Sequence, residues 1–169
     1  MRMIGFVGAS GSGKTTLVTE LLPRLRQRGL TASTIKHAHH GFDLDKPGKD
    51  SFRHREAGAQ EVMLVSRGRW ALLHEAPNGA DDSADDMALP ALARRMAPVD
   101  ILLVEGFRLA RIPKIEVFRP SLGKPPFYPD DPDIVAVASD ICLEMEHCLP
   151  LNDPDRIIDF MLTQCMAPQ

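Results

Sequence analysis

The pattern of apolar positions predicts that strands and helices alternate along this chain. The run Met3–Val7 is short, apolar and typical of a buried strand. After a glycine-rich segment, apolar residues recur at helical spacing, at Leu17, Val18, Leu21, Leu22 and Leu25. We expect this first helix to end at Arg28 with Gly29 as its C-terminal cap, and Pro23 to kink it or to remove one of its hydrogen bonds.

Further apolar segments continue the same alternation. We predict strands over 30–36, 100–106, 114–118 and 134–139, and helices over 51–57, 87–96 and from 154 to about 165. The apolar segments 61–66 and 69–74 predict a β-hairpin. This order favours an α/β fold of three layers, with a mostly parallel central sheet, helices on both faces and the hairpin as an addition.

The segment between the first strand and the first helix fits the phosphate-binding pattern G-x-x-x-x-G-K-[ST]. It reads Gly8-Ala9-Ser10-Gly11-Ser12-Gly13-Lys14-Thr15. Its glycines allow a tight turn whose backbone N–H groups point inward at the positive end of a helix, which suits a polyphosphate. We expect Lys14 to contact the outer phosphates, Thr15 to offer its hydroxyl to Mg²⁺ and Thr16 to contact the innermost phosphate. Strand, loop and helix in this order predict a P-loop NTPase fold.

Two carboxylates are candidates for the magnesium site, together with Thr15. Glu105 ends an all-apolar strand, where a parallel sheet places its ligands; the alternative is that it exits into solvent. Asp50 follows the second strand and the polar loop after it. It is equally suited to cap a helix that starts at Ser51.

The polar loop from His37 to Asp50 leaves several alternatives open. His37, His39 and His40 invite a transition-metal site, although H-x-H-H spacing is too tight for three imidazoles around one tetrahedral ion. The same side chains suit phosphate or substrate contact. Lys36 and Lys49 are candidates to neutralise charge near the γ-phosphate, unless they are merely solvated.

Asp140 is the candidate for base recognition. It follows the apolar run Val135–Ala138, and in guanine-specific P-loop proteins an Asp after a strand pairs with the N1 and N2 edge of the purine. The Asn-Lys of the usual motif is missing, and Asp is also a common turn residue at strand ends. No residue is identified as catalytic, so we expect slow hydrolysis at most.

Length and composition limit the function further. A chain of 169 residues fits one domain over 1–169, and a net charge of −3 without a basic run argues against nucleic acid as a partner. No apolar stretch approaches the roughly 20 residues that span a bilayer. Three cysteines without C-x-x-C spacing suit a reducing compartment, so a cytoplasmic protein is expected.

Taken together, these motifs resemble the MobB family of molybdopterin-guanine dinucleotide biosynthesis adaptors. The resemblance rests on the glycine loop, the run from Lys36 to Ser51, the pair Gly58-Ala59, the strand 102–107 and the run 135–140. It implies a cytoplasmic homodimer that binds GTP and Mg²⁺, assists the nucleotidyltransferase MobA and hydrolyses GTP weakly. It also implies a fold like that of dethiobiotin synthetase, with Mg²⁺ held by Thr15, Asp50 and Glu105.

Two other functions compete with the adaptor hypothesis. A small-molecule kinase or ATP-dependent ligase would use the same loop with His37, His39 or Asp45 as general base. A metal-binding module would use the histidines and hold stoichiometric zinc. The proline-rich segment from Pro120 to Pro132 matches no motif of the family, and its role stays open.

Overall fold

The computed structural model describes residues 1–38, 44–75 and 85–164, and of residues 85–88 the backbone alone. The chain divides into two compact units, one made of Met1–His37 with Asp85–Gln169 and the other of Ala38–Ala84. The single domain expected over 1–169 stays a prediction.

The elements follow one another largely as the sequence predicts. In chain order they are β1 (Arg2–Val7), α1 (Lys14–Gln27), β2 (Ala32–Lys36), α2 (Asp50–Glu56), β3 (Glu61–Ser66), β4 (Arg69–His74), α3 (Asp85–Arg95), β5 (Ile101–Glu105), β6 (Lys114–Phe118), β7 (Ile134–Ser139), β8 (Cys148–Pro150) and α4 (Pro154–Gln164). The proline-rich segment contains one 3-10 turn, Pro120–Leu122. In the part of the chain that the structure describes, no helix is long and apolar enough to cross a membrane.

The larger unit is built on a six-stranded parallel sheet in the order β2-β5-β1-β6-β7-β8. Ile101 and Leu103 of β5 face the core formed with α1 and α4, whereas Leu102 and Val104 face the core that includes Leu89 of α3. Burial on both faces explains why β5 is a continuous apolar run, as central parallel strands are. Helices therefore cover both sides of the sheet, which confirms the three predicted layers.

The register of the sheet brings the carboxyl ends of three strands to one level. Phe6 of β1 pairs with Glu105 of β5, and Lys36 of β2 pairs with Glu105 from the other side. Gly8, which follows β1, has a φ of 138°, and a Cβ there would lie 2.3 Å from the carbonyl oxygen of Val117. Glycine is thus required where the loop leaves the sheet.

The smaller unit contains α2 and the antiparallel pair β3 and β4. The hairpin has the predicted bounds, with Ser66 opposite Arg69. Because cross-strand partners point to the same side, Met63 and Val65 share a face with Leu72 and Trp70. All four of these side chains are exposed, by 39% to 74%.

Buried charges fix the proline-rich segment to β6. The Lys114 ammonium lies 2.7 Å from the Asp131 carboxylate and donates to the carbonyl oxygens of Arg108 and Ala110. The Glu116 carboxylate accepts hydrogen bonds from the backbone N–H groups of Phe127 and Tyr128. Burial raises the pKa of Glu116, although these two N–H groups act in the opposite direction. The segment is therefore anchored at fixed points along its second half.

Candidate functional site

The glycine loop, residues 8–13, forms a concave cradle of backbone N–H groups at the start of α1. Gly8, Gly11 and Gly13 all have positive φ, and Gly13 is the N-cap of α1, whose first turn carries no acidic residue. Within the described part of the chain, the buried hydroxyl oxygen of Ser12 has no hydrogen-bond partner. A backbone nest, a helix N-terminus without a competing carboxylate and an orphaned donor together fit an oxyanion. Ser10 lies in the same turn and is exposed.

Lys14 folds its side chain over this loop. Its ammonium donates to the carbonyl oxygens of Gly8 and Ala9, at 2.8 and 2.9 Å. Burial lowers the pKa of Lys14, Glu105 opposes that shift and Lys36 adds to it. A partly desolvated cation at the mouth of an anion nest is stabilised by an anionic ligand, which is the chemistry expected of a phosphate site.

Thr15, Glu105 and Lys36 form a compact cluster beside the loop. The Thr15 hydroxyl donates to the Glu105 carboxylate at 2.6 Å, and the Lys36 ammonium lies 3.1 Å from both the Thr15 hydroxyl oxygen and that carboxylate. Glu105 is buried and does not exit into solvent. The Thr15 hydroxyl and the Glu105 carboxylate thus bring two hard oxygen atoms together beside the Lys36 ammonium. Such a pair of oxygen donors fits Mg²⁺.

Asp50 and Lys49 lie in the smaller unit. Lys49 is the N-cap of α2 and Asp50 is its first residue, so Asp50 is not the capping residue. Its carboxylate lies in the first turn, where it complements the helix dipole. Both side chains are exposed. Their predicted roles beside the phosphates stay predictions.

Of the three histidines proposed for a metal site, the structure describes His37. His37 directly follows β2; its N–H donates to the carbonyl oxygen of Glu105, and its ring packs against Phe107 with centroids 5.2 Å apart. His39 and His40 lie outside the described residues. Over 1–38, 44–75 and 85–164, no group of three His, Cys, Asp or Glu side chains is arranged to hold a metal ion.

Beside the loop lies a cavity of about 300 Å³. Its lining includes Gly13, Thr16, Glu20, Arg119, Asp140, Leu151 and Asn152. The Arg119 guanidinium donates from Nε to the Ser12 carbonyl oxygen at 3.0 Å and from Nη1 to the Asp140 carboxylate at 2.7 Å. Thr16 and Asp140 were expected near a nucleotide, whereas Arg119 and Asn152 were not predicted. The position of Arg119 directly after a parallel strand was the available signal.

Comparison with known proteins identifies the family. The family model MobB, "Molybdopterin guanine dinucleotide synthesis protein B", matches residues 3–140. The molybdopterin-guanine dinucleotide biosynthesis adapter protein of Escherichia coli is 41% identical, over 95% of this chain and 91% of that protein. The Haemophilus influenzae protein of the same name is 40% identical, over 94% and 86%.

A solved structure supports the same assignment. Bacillus subtilis MobB aligns with a TM-score of 0.69 and 25% identity, covering 99% of this chain and 100% of that chain. This similarity confirms the predicted three-layer, P-loop NTPase-like architecture. Matched by the family model over 3–140 and by adapter proteins over nearly its whole length, the chain belongs to the MobB family.

Proposed function

We propose that this protein is a GTP-binding adaptor in the biosynthesis of molybdopterin guanine dinucleotide. It binds GTP with Mg²⁺ in the cytoplasm and assists the nucleotidyltransferase MobA, with weak GTPase activity of its own. The observation that carries the proposal is the cluster of Thr15, Glu105 and Lys36 next to the glycine loop. The adapter role is the one that the names of the bacterial relatives state for those proteins.

The phosphates and the magnesium ion have residues suited to them in the larger unit. The backbone N–H groups of Gly8 to Gly13 and the ammonium of Lys14 suit the phosphates, and Thr16 lines the adjoining cavity. Thr15 and Glu105 would hold Mg²⁺, which neutralises charge on the phosphates when bound. Asp50 is proposed as a third ligand on the resemblance alone.

An adaptor role fits better than a kinase role. The Asp45 carboxylate, a candidate base for the kinase, accepts hydrogen bonds from the Ser51 hydroxyl and the Lys46 N–H and pairs with Arg55 at 3.4 Å. Its side chain is only 7% exposed, so it is a structural group of the smaller unit. The ring of His37 packs against Phe107. These contacts count against Asp45 and His37 as general bases and so favour a protein that holds its nucleotide over one that turns it over rapidly. The third candidate base, His39, lies outside the described residues.

Glu105→Gln tests the magnesium site. The amide keeps the shape and loses the charge, so the gain in GTP affinity on adding Mg²⁺ should fall by roughly 10-fold or more. Affinity without Mg²⁺ should stay the same or rise slightly, because a negative charge near the phosphates is removed. Titration calorimetry of GTP with Mg²⁺ and with a chelator measures both values.

The matched control is Glu146→Gln, a carboxylate whose side chain is 89% exposed. It should leave both affinities unchanged. Equal losses in Glu105→Gln with and without Mg²⁺ would remove Glu105 from the metal site.

We further propose that the protein is a homodimer that uses the exposed face of the hairpin. Met63, Val65, Trp70 and Leu72 form that apolar face, whereas on the opposite face Val62 is buried and Leu64 is 41% exposed. A two-stranded ribbon is marginally stable alone, and a contiguous exposed apolar face marks an interface. A second copy of the chain would cover it with the same four side chains.

The double variant Val65→Lys with Trp70→Lys should therefore be monomeric. Two ammonium groups cannot be buried in an apolar interface without partners. Analytical ultracentrifugation of the wild type and the variant gives the answer. Leu44→Lys, at a residue 76% exposed outside the hairpin, is the control and should stay dimeric. A monomeric wild type, or a dimeric double variant, would contradict this interface.

A further inference from the structure

Arg119 connects three parts of the larger unit that are far apart in sequence. It directly follows β6, its Nε–H reaches the carbonyl oxygen of Ser12 in the glycine loop, and its Nη1–H reaches Asp140 directly after β7. A guanidinium presents its donors in a fixed planar fork, so one side chain can hold both acceptors at a set spacing. Arg119 therefore fixes the position of the Asp140 carboxylate relative to the glycine loop.

Arg119 and Asp140 form one wall of the cavity of about 300 Å³ beside Gly13. A Cβ at Gly13 would lie 3.7 Å from the Arg119 guanidinium, which places the arginine directly against the loop. Two further lining residues are the polar Asn152 and the apolar Leu151. A cavity with an apolar side and a few polar groups, adjoining a phosphate cradle, suits a nucleobase.

We infer that Arg119 is a positioning residue for base selection, which sets the Asp140 carboxylate at the cavity so that guanine is bound in preference to adenine. The inference rests on the proposed function, because it takes the cradle to hold a purine triphosphate. Guanine presents two N–H donors on its N1 and N2 edge, and a carboxylate accepts from both. Adenine presents an acceptor at N1, which a carboxylate repels.

The contribution of Arg119 follows from the exposure of the pair. The Asp140 side chain is 35% exposed, so without a partner its carboxylate would be free to turn into solvent. The hydrogen bond to Arg119 occupies Oδ2 and fixes the rotamer, and carboxylate oxygens keep further lone pairs for a ligand. Preorganisation of this kind improves selectivity by reducing the ordering cost on binding.

The test is a double-mutant cycle on the ratio of GTP to ATP affinity. Asp140→Ala should lower that ratio by roughly 10-fold to 100-fold, since hydrogen bonds to a charged group are lost. Arg119→Ala should lower it by roughly 10-fold, and Arg119→Lys should recover little because an ammonium lacks the planar fork. In the double variant, removal of Arg119 should change the ratio no further.

Two further measurements separate base selection from damage to the loop. Affinity for inorganic tripolyphosphate reports the loop alone, and the ratio of GTP to ATP cancels any shared loss at the phosphates. Arg111→Ala breaks another arginine–aspartate pair, with Asp133 at 3.1 Å, outside this cavity and should leave the ratio unchanged. A structural role for Arg119 would lower both affinities equally.

The outcomes distinguish this inference from the proposed function. A wild-type preference for GTP that disappears in Asp140→Ala and survives in Arg119→Ala overturns the role of Arg119 and leaves the GTP site intact. A wild type that binds GTP and ATP equally, or neither, overturns the proposed function and this inference together.

Discussion

Lys14→Ala should weaken GTP binding by roughly 100-fold or more, equivalent to about 3 kcal/mol. The Lys14 ammonium lies over the glycine loop, and its pKa is lowered chiefly by burial, so it is a partly desolvated charge that a phosphate would satisfy. Its loss leaves the phosphate charge without its main partner. Calorimetric titration of wild type and variant with GTP and Mg²⁺ measures the loss.

The matched control for this experiment is Lys124→Ala, at an exposed position of the proline-rich segment. It should bind GTP as the wild type does. The melting temperature of Lys14→Ala should stay close to that of the wild type, because the lysine side chain is only partly buried and its bonds among the described residues are to two loop carbonyls. Unchanged GTP affinity in Lys14→Ala would show that the loop is not the phosphate site.

Lys114→Ala should lower the free energy of unfolding by about 3 kcal/mol, the low end expected when one partner of a buried ion pair is removed. The Lys114 side chain is 1% exposed. Its ammonium pairs with the Asp131 carboxylate and donates hydrogen bonds to two carbonyl oxygens. Alanine would leave these acceptors unpaired and a cavity against β6. Urea unfolding followed by circular dichroism gives the value.

Two variants make this prediction specific. Arg111→Ala removes an arginine whose side chain is 81% exposed and should cost less than about 0.5 kcal/mol, as surface pairs do. Lys114→Met with Asp131→Asn removes both charges and should recover part of the loss, because no buried charge is left alone. A loss below about 1 kcal/mol in Lys114→Ala would mean that the pair does not anchor the segment.

Local patterns were sufficient to predict most of the fold. The apolar run Met3–Val7, the glycine loop and the helical spacing after it lie next to one another in sequence, so their order could be read directly. The hairpin was equally local, since two short apolar runs separated by a two-residue turn define it. The short edge strand β8 was missed because three residues ending in proline carry no periodic signal.

The rest of the site depends on contacts between residues distant in the chain. Arg119 reaches Ser12, and the burial of Lys114 depends on Asp131 folding back over β6. A single sequence shows the charge of such residues and does not show their partners. Glu105 was predictable because a carboxylate that ends an apolar strand is costly without a partner, and its partners proved to be Thr15 and Lys36.

The measurement that tests the central claim most directly is the affinity of the wild-type protein for GTP and ATP, each with and without Mg²⁺. GTP should bind more tightly than ATP, because Asp140 lies at the cavity beside the loop. Mg²⁺ should increase the affinity, because Thr15 and Glu105, whose oxygen atoms lie 2.6 Å apart, are its proposed ligands. Equal affinity for the two nucleotides, or binding that Mg²⁺ leaves unchanged, would contradict a GTP–magnesium site in this protein.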